Sequence, residues 1–162
     1  ALRTDKYTIH PLRGEYYEVV TPEKRGLVGR PIYPALPPGA TGKGIHVGPR
    51  PNGRLYIGPN EILVQDKADY TSHKTPPGLF VDAVQKFLPA LDEQDLRWAY
   101  SGIRPRVVTD GRSKSDFIIS VDREEPLLVD LIGIESPGLS AAMAIARHVC
   151  DLLSLQKRFP SG

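Results

Sequence analysis

Residues Leu131–Leu153 read LIGIESPGLSAAMAIARHVCDLL. An apolar run enters a small turn of Glu, Ser, Pro and Gly, and a long amphipathic helix leaves it. The run closes "LLVDLIGI" (Leu127–Ile134), which is nearly all apolar and reads as a strand buried on both faces. Pro137 suits a first helical turn, and Gly133 and Gly138 let the backbone approach a neighbour closely. A helix start offers N–H groups without an acceptor and a partial positive charge, a seat for an anionic or electron-rich group. The same spacing also fits a tight connection with no ligand. Leu139, Met143, Ile145, Ala146, Val149, Cys150, Leu152 and Leu153 supply the apolar surface of the helix, with Cys150 expected to be a small buried residue.

Upstream, 16 prolines and 15 glycines divide the chain into short segments. "GEYYEVV" (Gly14–Val20) has the composition of a strand, with Tyr16 and Tyr17 on opposite faces. "RGLVGRPIYP" (Arg25–Pro34) reads as a strand interrupted by Gly29 and Pro31, and "ALPPGATGKG" (Ala35–Gly44) as loop. In "GIHVGPRPNGRLYIGPN" (Gly44–Asn60) the pair Asn52–Gly53 signals a tight hairpin turn. Ile45 and Val47 alternate with His46, and Leu55 and Ile57 with Tyr56. One face is therefore core, and His46 and Tyr56 lie on the other. "PPGLFVDAVQKFLPAL" (Pro76–Leu91) predicts a helix with Leu79, Phe80, Val84, Phe87 and Leu88 on one stripe, ended by Pro89. "DLRWAYSGIRPRVV" (Asp95–Val108) predicts an extended strand broken at Gly102 and Pro105. "DGRSKS" predicts a turn, and "DFIISVD" (Asp116–Asp122) a strand. The fold class is α+β, with a mostly antiparallel sheet and helices. The last strand and helix have the sharp turn of an α/β nucleotide-binding unit and belong to a different layer or domain.

The chain has 162 residues, 40% hydrophobic and 25% charged, with 21 basic against 19 acidic side chains. That balance gives no argument for nucleic acid or a membrane surface, and aromatics do not interleave with the basic residues as a base-stacking surface requires. No nucleic-acid partner is expected. The single cysteine rules out an intrachain disulfide and points to a reducing compartment, so a cytoplasmic location is expected, with peripheral membrane association left open. No apolar run has the length of a membrane span. No His, Cys, Asp and Glu spacing suits a metal, and none is expected.

Three further segments could carry chemistry. In "YSGIRPRVV" (Tyr100–Val108), Gly102 and Pro105 hold Arg104 in a defined backbone, and its planar guanidinium matches a carboxylate or phosphate. Read alone, it is as simply an Arg in an ordinary ion pair. His46 could serve a pocket as acid or base, or be an ordinary exposed histidine. His10, His73 and His148 are weaker candidates. In "RGEYY" (Arg13–Tyr17) the tyrosines read first as sheet packing.

Taken in order, "RGEYY", "PIYPALPP", "GIHVGPRPNGRLYIGPN", "YSGIRPRV", "DFII" and "LIGIESPGLSAAMAIA" resemble the C-terminal half of FAD-dependent oxidoreductases of the D-amino-acid-oxidase superfamily. The branch resembled is that of L-2-hydroxyglutarate dehydrogenases/oxidases and glycerol-3-phosphate dehydrogenases. The resemblance runs from about Ile9 to about Leu153. It implies that residues 1–110 belong to a substrate-binding cap domain and that 111–162 return to the FAD-binding domain. It implies FAD as cofactor, with Gly133, Ile134, Glu135, Ser136, Pro137, Gly138 and Leu139 beside the flavin. It implies Arg104 as the grip on a small anionic substrate, His46 as the catalytic acid or base, and Tyr16, Tyr56 and Tyr100 as pocket lining.

The strand–GxGxxG–helix that begins this family is absent here, and "GATGKG" (Gly39–Gly44) does not replace it. The expectation is a portion of a longer enzyme whose N-terminal FAD-domain half lies elsewhere, with weak or no FAD binding by this chain alone. The alternatives are a subunit of a split flavoenzyme whose partner carries the fingerprint, or a non-redox module that binds small acids. In either portion or subunit the start of the last helix and one side of the Leu127–Ile134 strand are left uncovered. Such a surface favours a partner or a homo-oligomer.

Overall fold

The computed structural model describes residues 7–38, 44–109, 112–113, 116–122 and 128–158. They form β1 (Thr8–Val19), β2 (His46–Pro49), β3 (Leu55–Gly58), β4 (Ile62–Leu63), α1 (Pro77–Val84), β5 (Leu96–Thr109), β6 (Arg112–Ser113), β7 (Ile118–Val121), β8 (Val129–Ile132) and α2 (Gly138–Arg158). The first six-stranded sheet has the order β2-β3-β1-β5-β6, with β4 also on β1, and β7 and β8 form a second sheet. Every strand pair whose register is described is antiparallel, as the α+β reading expects. The chain divides into two compact units, residues 11–103 and residues 1–10 with 104–162.

In the 11–103 unit, period-two alternation sorts side chains onto two faces. Ile57 lies opposite Tyr17 on β1 and Val47 on β2. All three are buried, together with Val19, Leu55 and Leu96. Phe80, Val81 and Val84 of α1 and Leu88 and Leu91 beyond it close this core, and the Tyr17 and Phe80 rings meet at 4.7 Å. The helix is shorter than its apolar stripe suggests. It ends at Val84, and turns carry Leu88 and Leu91 into the core while Leu79 stays exposed.

The core face of β1 continues into charge. Arg13 and Glu15 are buried and lie 3.3 Å apart. Arg13 donates to the Asp69 carboxylate at 2.8 Å and to the His73 carbonyl at 3.3 Å. The Glu15 carboxylate accepts from the Thr75 N–H at 2.9 Å and from Asn60 Nδ2 at 3.2 Å. Asn60 Oδ1 in turn accepts from the Glu15 N–H at 2.8 Å, and Nδ2 also donates to Thr75 Oγ1 at 2.7 Å. A buried charge persists only when paired and hydrogen-bonded in this way. The network ties the irregular 66–75 segment to β1.

Several expectations are corrected. Arg25–Pro34 makes no strand; its two prolines and two glycines leave only an isolated bridge from Ile32 to Val47. β5 runs unbroken through Gly102 and Pro105, both exposed. Within "DGRSKS", Arg112–Ser113 pairs with Val108–Thr109 as strand, and the rest lies outside the described residues, as does 39–43 of the "ALPPGATGKG" loop. β8 is not buried on both faces. Among the described residues it pairs with β7 alone, and Leu131 is 49% exposed. Cys150 is exposed rather than buried. It lies away from the half-buried line of Ala141, Ile145, Val149 and Leu152 on α2. Leu139 and Met143 are 95% and 84% exposed, which is the uncovered helix start that the sequence anticipates.

Two predictions follow from these contacts. Asn60→Ala leaves the buried Glu15 N–H without its acceptor and takes one donor from the Glu15 carboxylate, so urea unfolding should show a loss of about 2–3 kcal/mol; a loss below about 0.5 kcal/mol, the range of ordinary surface changes, would contradict the network. The second concerns acid. Burial pushes the Glu18 carboxyl up, but hydrogen bonds and charge from Arg97 and Arg54 outweigh it and hold the group below its usual range. Asp95 is lowered in the same way, with burial outweighed by Lys24, Thr21 and the Asp92 N–H. Both therefore add stability that is complete above the unfolded carboxylate values of about 4 and is lost as pH falls through the lower folded values. Glu18→Gln should flatten the acid limb of a stability–pH curve, and an unchanged limb would contradict the assignment.

Candidate functional site

The sheet face opposite the core gathers four of the residues singled out above. Gly48 of β2 and Glu18 of β1 both lie beside Tyr56, and His46 lies beside Gly58. Continuing the β1–β3 register by one residue brings Tyr16 beside Gly58. Tyr16 stacks on Tyr100 with ring centres 4.8 Å apart and meets His46 edge-on at 6.4 Å. Tyr56 lies 6.0 Å from Tyr100. The row depends on Gly58. Its φ is +136°, and a Cβ there would sit 2.5 Å from the Glu15 carbonyl oxygen and 3.0 Å from Tyr16 Cδ1. Only glycine allows both this backbone and the close Tyr16 ring.

Two members of this face escaped the sequence reading. Tyr33 stacks on His46 at 4.3 Å. Arg50 lies 5.8 Å from the Tyr16 ring centre and 5.4 Å from that of Tyr56, and donates to the Tyr100 hydroxyl at 2.5 Å. The period that puts His46 on this face, carried through Gly48, puts Arg50 there too. Tyr33 carried no such signal, because it comes from an irregular segment. Burial holds the Tyr100 phenol above its usual range, against the lowering pull of the Arg50 charge. It is therefore a neutral hydroxyl at neutral pH. His10 lies in β1, His73 in the irregular segment and His148 on an exposed turn of α2; none joins the tyrosine row.

In the other unit the Gly133–Leu139 turn is organised by Glu135. Its Oε2 lies 3.4 Å from Arg104 Nη1 and its Oε1 accepts from Arg106 Nε at 3.0 Å. The plain ion-pair reading of Arg104 is thus realised, with a partner the sequence reading had placed beside a cofactor. Gly133 has φ +70°, and a Cβ on it would press on Val107 at 2.9 Å. The Gly138 N–H donates to the Glu135 carbonyl at 2.6 Å and the Ala141 N–H to the Pro137 carbonyl at 3.0 Å. The Leu139 and Ser140 N–H groups remain at the helix opening, where N–H groups have no acceptor within the helix. Two guanidiniums holding the Glu135 carboxylate beside a helix N-terminus make this turn rich in N–H donors, a seat for an electron-rich oxygen. The donor set fits the polar edge of a flavin ring. Among the described residues no group of three or more His, Cys, Asp and Glu is placed to hold a metal ion, and no helix is long and apolar enough to cross a membrane.

Comparison with known proteins decides the family. The family of FAD dependent oxidoreductases (DAO) matches residues 1–152. The chain belongs to it. The chain is 32% identical over 153 residues to the mitochondrial L-2-hydroxyglutarate dehydrogenase of Arabidopsis thaliana, covering 88% of this chain and 31% of that protein. It is 30% identical over 153 residues to the glycerol 3-phosphate oxidase of Mycoplasma pneumoniae, covering 94% of this chain and 38% of that protein. Among solved structures it is similar to the dithionite-reduced L-alpha-glycerophosphate oxidase of Mycoplasma pneumoniae with FAD bound. That match has a TM-score of 0.68 and 28% identity, over 91% of this chain and 37% of that one. The chain thus spans about a third of the curated relatives it matches.

Gly58→Ala tests the tyrosine row. The forced shift of backbone and Tyr16 should cost about 1–3 kcal/mol of stability and disperse the aromatic near-ultraviolet signal. A variant with wild-type stability and an unchanged signal would contradict the role given to Gly58.

Proposed function

We propose that this chain is the substrate-facing and flavin-covering share of an FAD-dependent dehydrogenase or oxidase that acts on a small anionic alcohol, a 2-hydroxy acid or glycerol phosphate. The observation that carries the reading is the family match, because it runs through both the tyrosine row and the Gly133–Leu139 turn. In this reading residues 1–110 are substrate-binding cap and 111–162 return to the FAD-binding domain. When bound, FAD supplies the two-electron acceptor. The Gly133–Leu139 turn holds the polar edge of the ring, its helix N–H groups favouring negative charge there.

Oxidising an alcohol also requires that its hydroxyl proton leave and its acid group be held still. His46 receives that proton, with its ring orientation fixed by stacking on Tyr33 and by the edge of Tyr16. Arg104 holds the acid group. Tyr16, Tyr56 and Tyr100 line the substrate side. The exposure of Leu139 and Met143 supports a covering dinucleotide-binding part, carried either by the same polypeptide or by a partner.

The test uses the full-length natural polypeptide carrying this sequence, with any partner that co-purifies. It should hold FAD, and anaerobic L-2-hydroxyglutarate or glycerol 3-phosphate should bleach its visible flavin band. Arg104→Gln should raise the KM of the active substrate by about ten-fold or more, the scale of one charged hydrogen bond. A preparation without flavin, or one that neither class of substrate bleaches, would contradict the proposal.

A further inference from the structure

The arginines of the 11–103 unit are not alike. Arg13 is paired with Glu15 and Asp69, and Arg54 and Arg97 both with Glu18. Arg50, like Arg25 and Arg30, has no carboxylate within ion-pair distance among the described residues, and Arg25 is spent on the Val19 and Val20 carbonyls. It is nevertheless held in place. Its N–H donates to the Arg54 carbonyl at 2.8 Å, Pro49 and Pro51 flank it, and its guanidinium lies over the Tyr16 and Tyr56 rings. One of its nitrogens is spent on the Tyr100 oxygen. That oxygen accepts, so the phenol proton is left to point elsewhere, and the remaining guanidinium N–H groups are left to donate.

We propose that Arg50 and Tyr100 are a carboxylate-recognising pair on the tyrosine face, that they take a second acid group beyond the one given to Arg104, and that they set the affinity of the enzyme for a dicarboxylic acid. The inference rests on the proposed oxidation of a small anionic substrate and adds a specificity determinant to it. A fixed guanidinium gives two parallel N–H donors matched to two oxygens, and the phenol gives a third donor beside them. Arg50 is exposed, but the two rings and the Tyr100 hydroxyl lower the cost of ordering its guanidinium when a ligand arrives. Charge selects the ligand. One cation beside a neutral phenol matches the charge and two oxygens of a single carboxylate group, whereas a phosphate group brings about 1.5 to 2 charges and three acceptor oxygens that this pair leaves partly unmatched.

The experiment has two readouts on the full-length polypeptide and its Arg50→Gln, Arg50→Lys and Tyr100→Phe variants. The first is calorimetric binding of glutarate, an acid with no hydroxyl to oxidise, against inorganic phosphate. The second is kcat/KM for L-2-hydroxyglutarate. Glutarate should bind wild type more tightly than phosphate does. Arg50→Gln should weaken glutarate binding by about 10- to 100-fold and raise KM far more than it lowers kcat, the loss expected for a charged two-oxygen contact. Arg50→Lys should recover only part of the binding, because a point charge lacks the fork. Tyr100→Phe should weaken binding by a smaller factor. Glutarate binding within about two-fold of wild type in a folded Arg50→Gln protein would overturn the pair, as would phosphate binding at least as tightly as glutarate. The readouts separate the two proposals. Oxidation without an Arg50 effect removes the pair and leaves the proposed reaction; Arg50-dependent glutarate binding without any oxidation does the reverse.

Discussion

The register that places Ile57 between Tyr17 and Val47 is the constraint on which the rest depends. Strand side chains alternate with a period of two, so a slip of one residue would exchange the faces of all three strands. In the observed register one face of β1, β3 and β2 is sealed under α1, while the other displays Tyr16, Tyr56 and His46. Core and site are thus two sides of a single pairing decision. Gly58 and Asn60, two residues apart, secure it from both sides: the first makes room for the Tyr16 ring, and the second satisfies Glu15 beneath.

Charge is managed differently in the two units. In residues 11–103 the carboxylates of Glu15, Glu18 and Asp95 are each consumed by cations or backbone donors, which adds rigidity and leaves little for chemistry. Arg50 stands outside that pattern, supported by rings rather than by an acid. Among the described residues of 104–162, Arg104 and Arg106 both hold the Glu135 carboxylate. That cluster sits beside the N-terminus of α2, whose N–H groups add donors of their own.

The parts of this fold that were legible in the sequence are those governed by period and turn chemistry. Asn52–Gly53 marks the hairpin, and the alternation around His46 and Tyr56 separates the core face from the opposite one. The illegible parts are those decided at long range. Nothing local distinguishes Arg13 and Glu15 from surface residues, because their partners Asp69, Asn60 and Thr75 lie 45 or more residues away. The Glu135 pairing was hidden for the same reason, being set by Arg104 and Arg106, 31 and 29 residues earlier. The apolar run at Leu127–Ile134 was misread as doubly buried because its composition reports what it is suited to face, and the described part of this chain gives it one strand neighbour and an exposed Leu131.

The central proposal is that the tyrosine row takes an organic acid and that the Gly133–Leu139 turn takes the flavin. The most direct measurement is a crystal structure of the full-length polypeptide with FAD and glutarate bound. The account predicts the polar edge of the flavin ring at the N–H groups of Leu139 and Ser140, and a glutarate carboxylate on Arg50 and Tyr100. A flavin bound away from the Gly133–Leu139 turn, or glutarate absent from the tyrosine face, would contradict it.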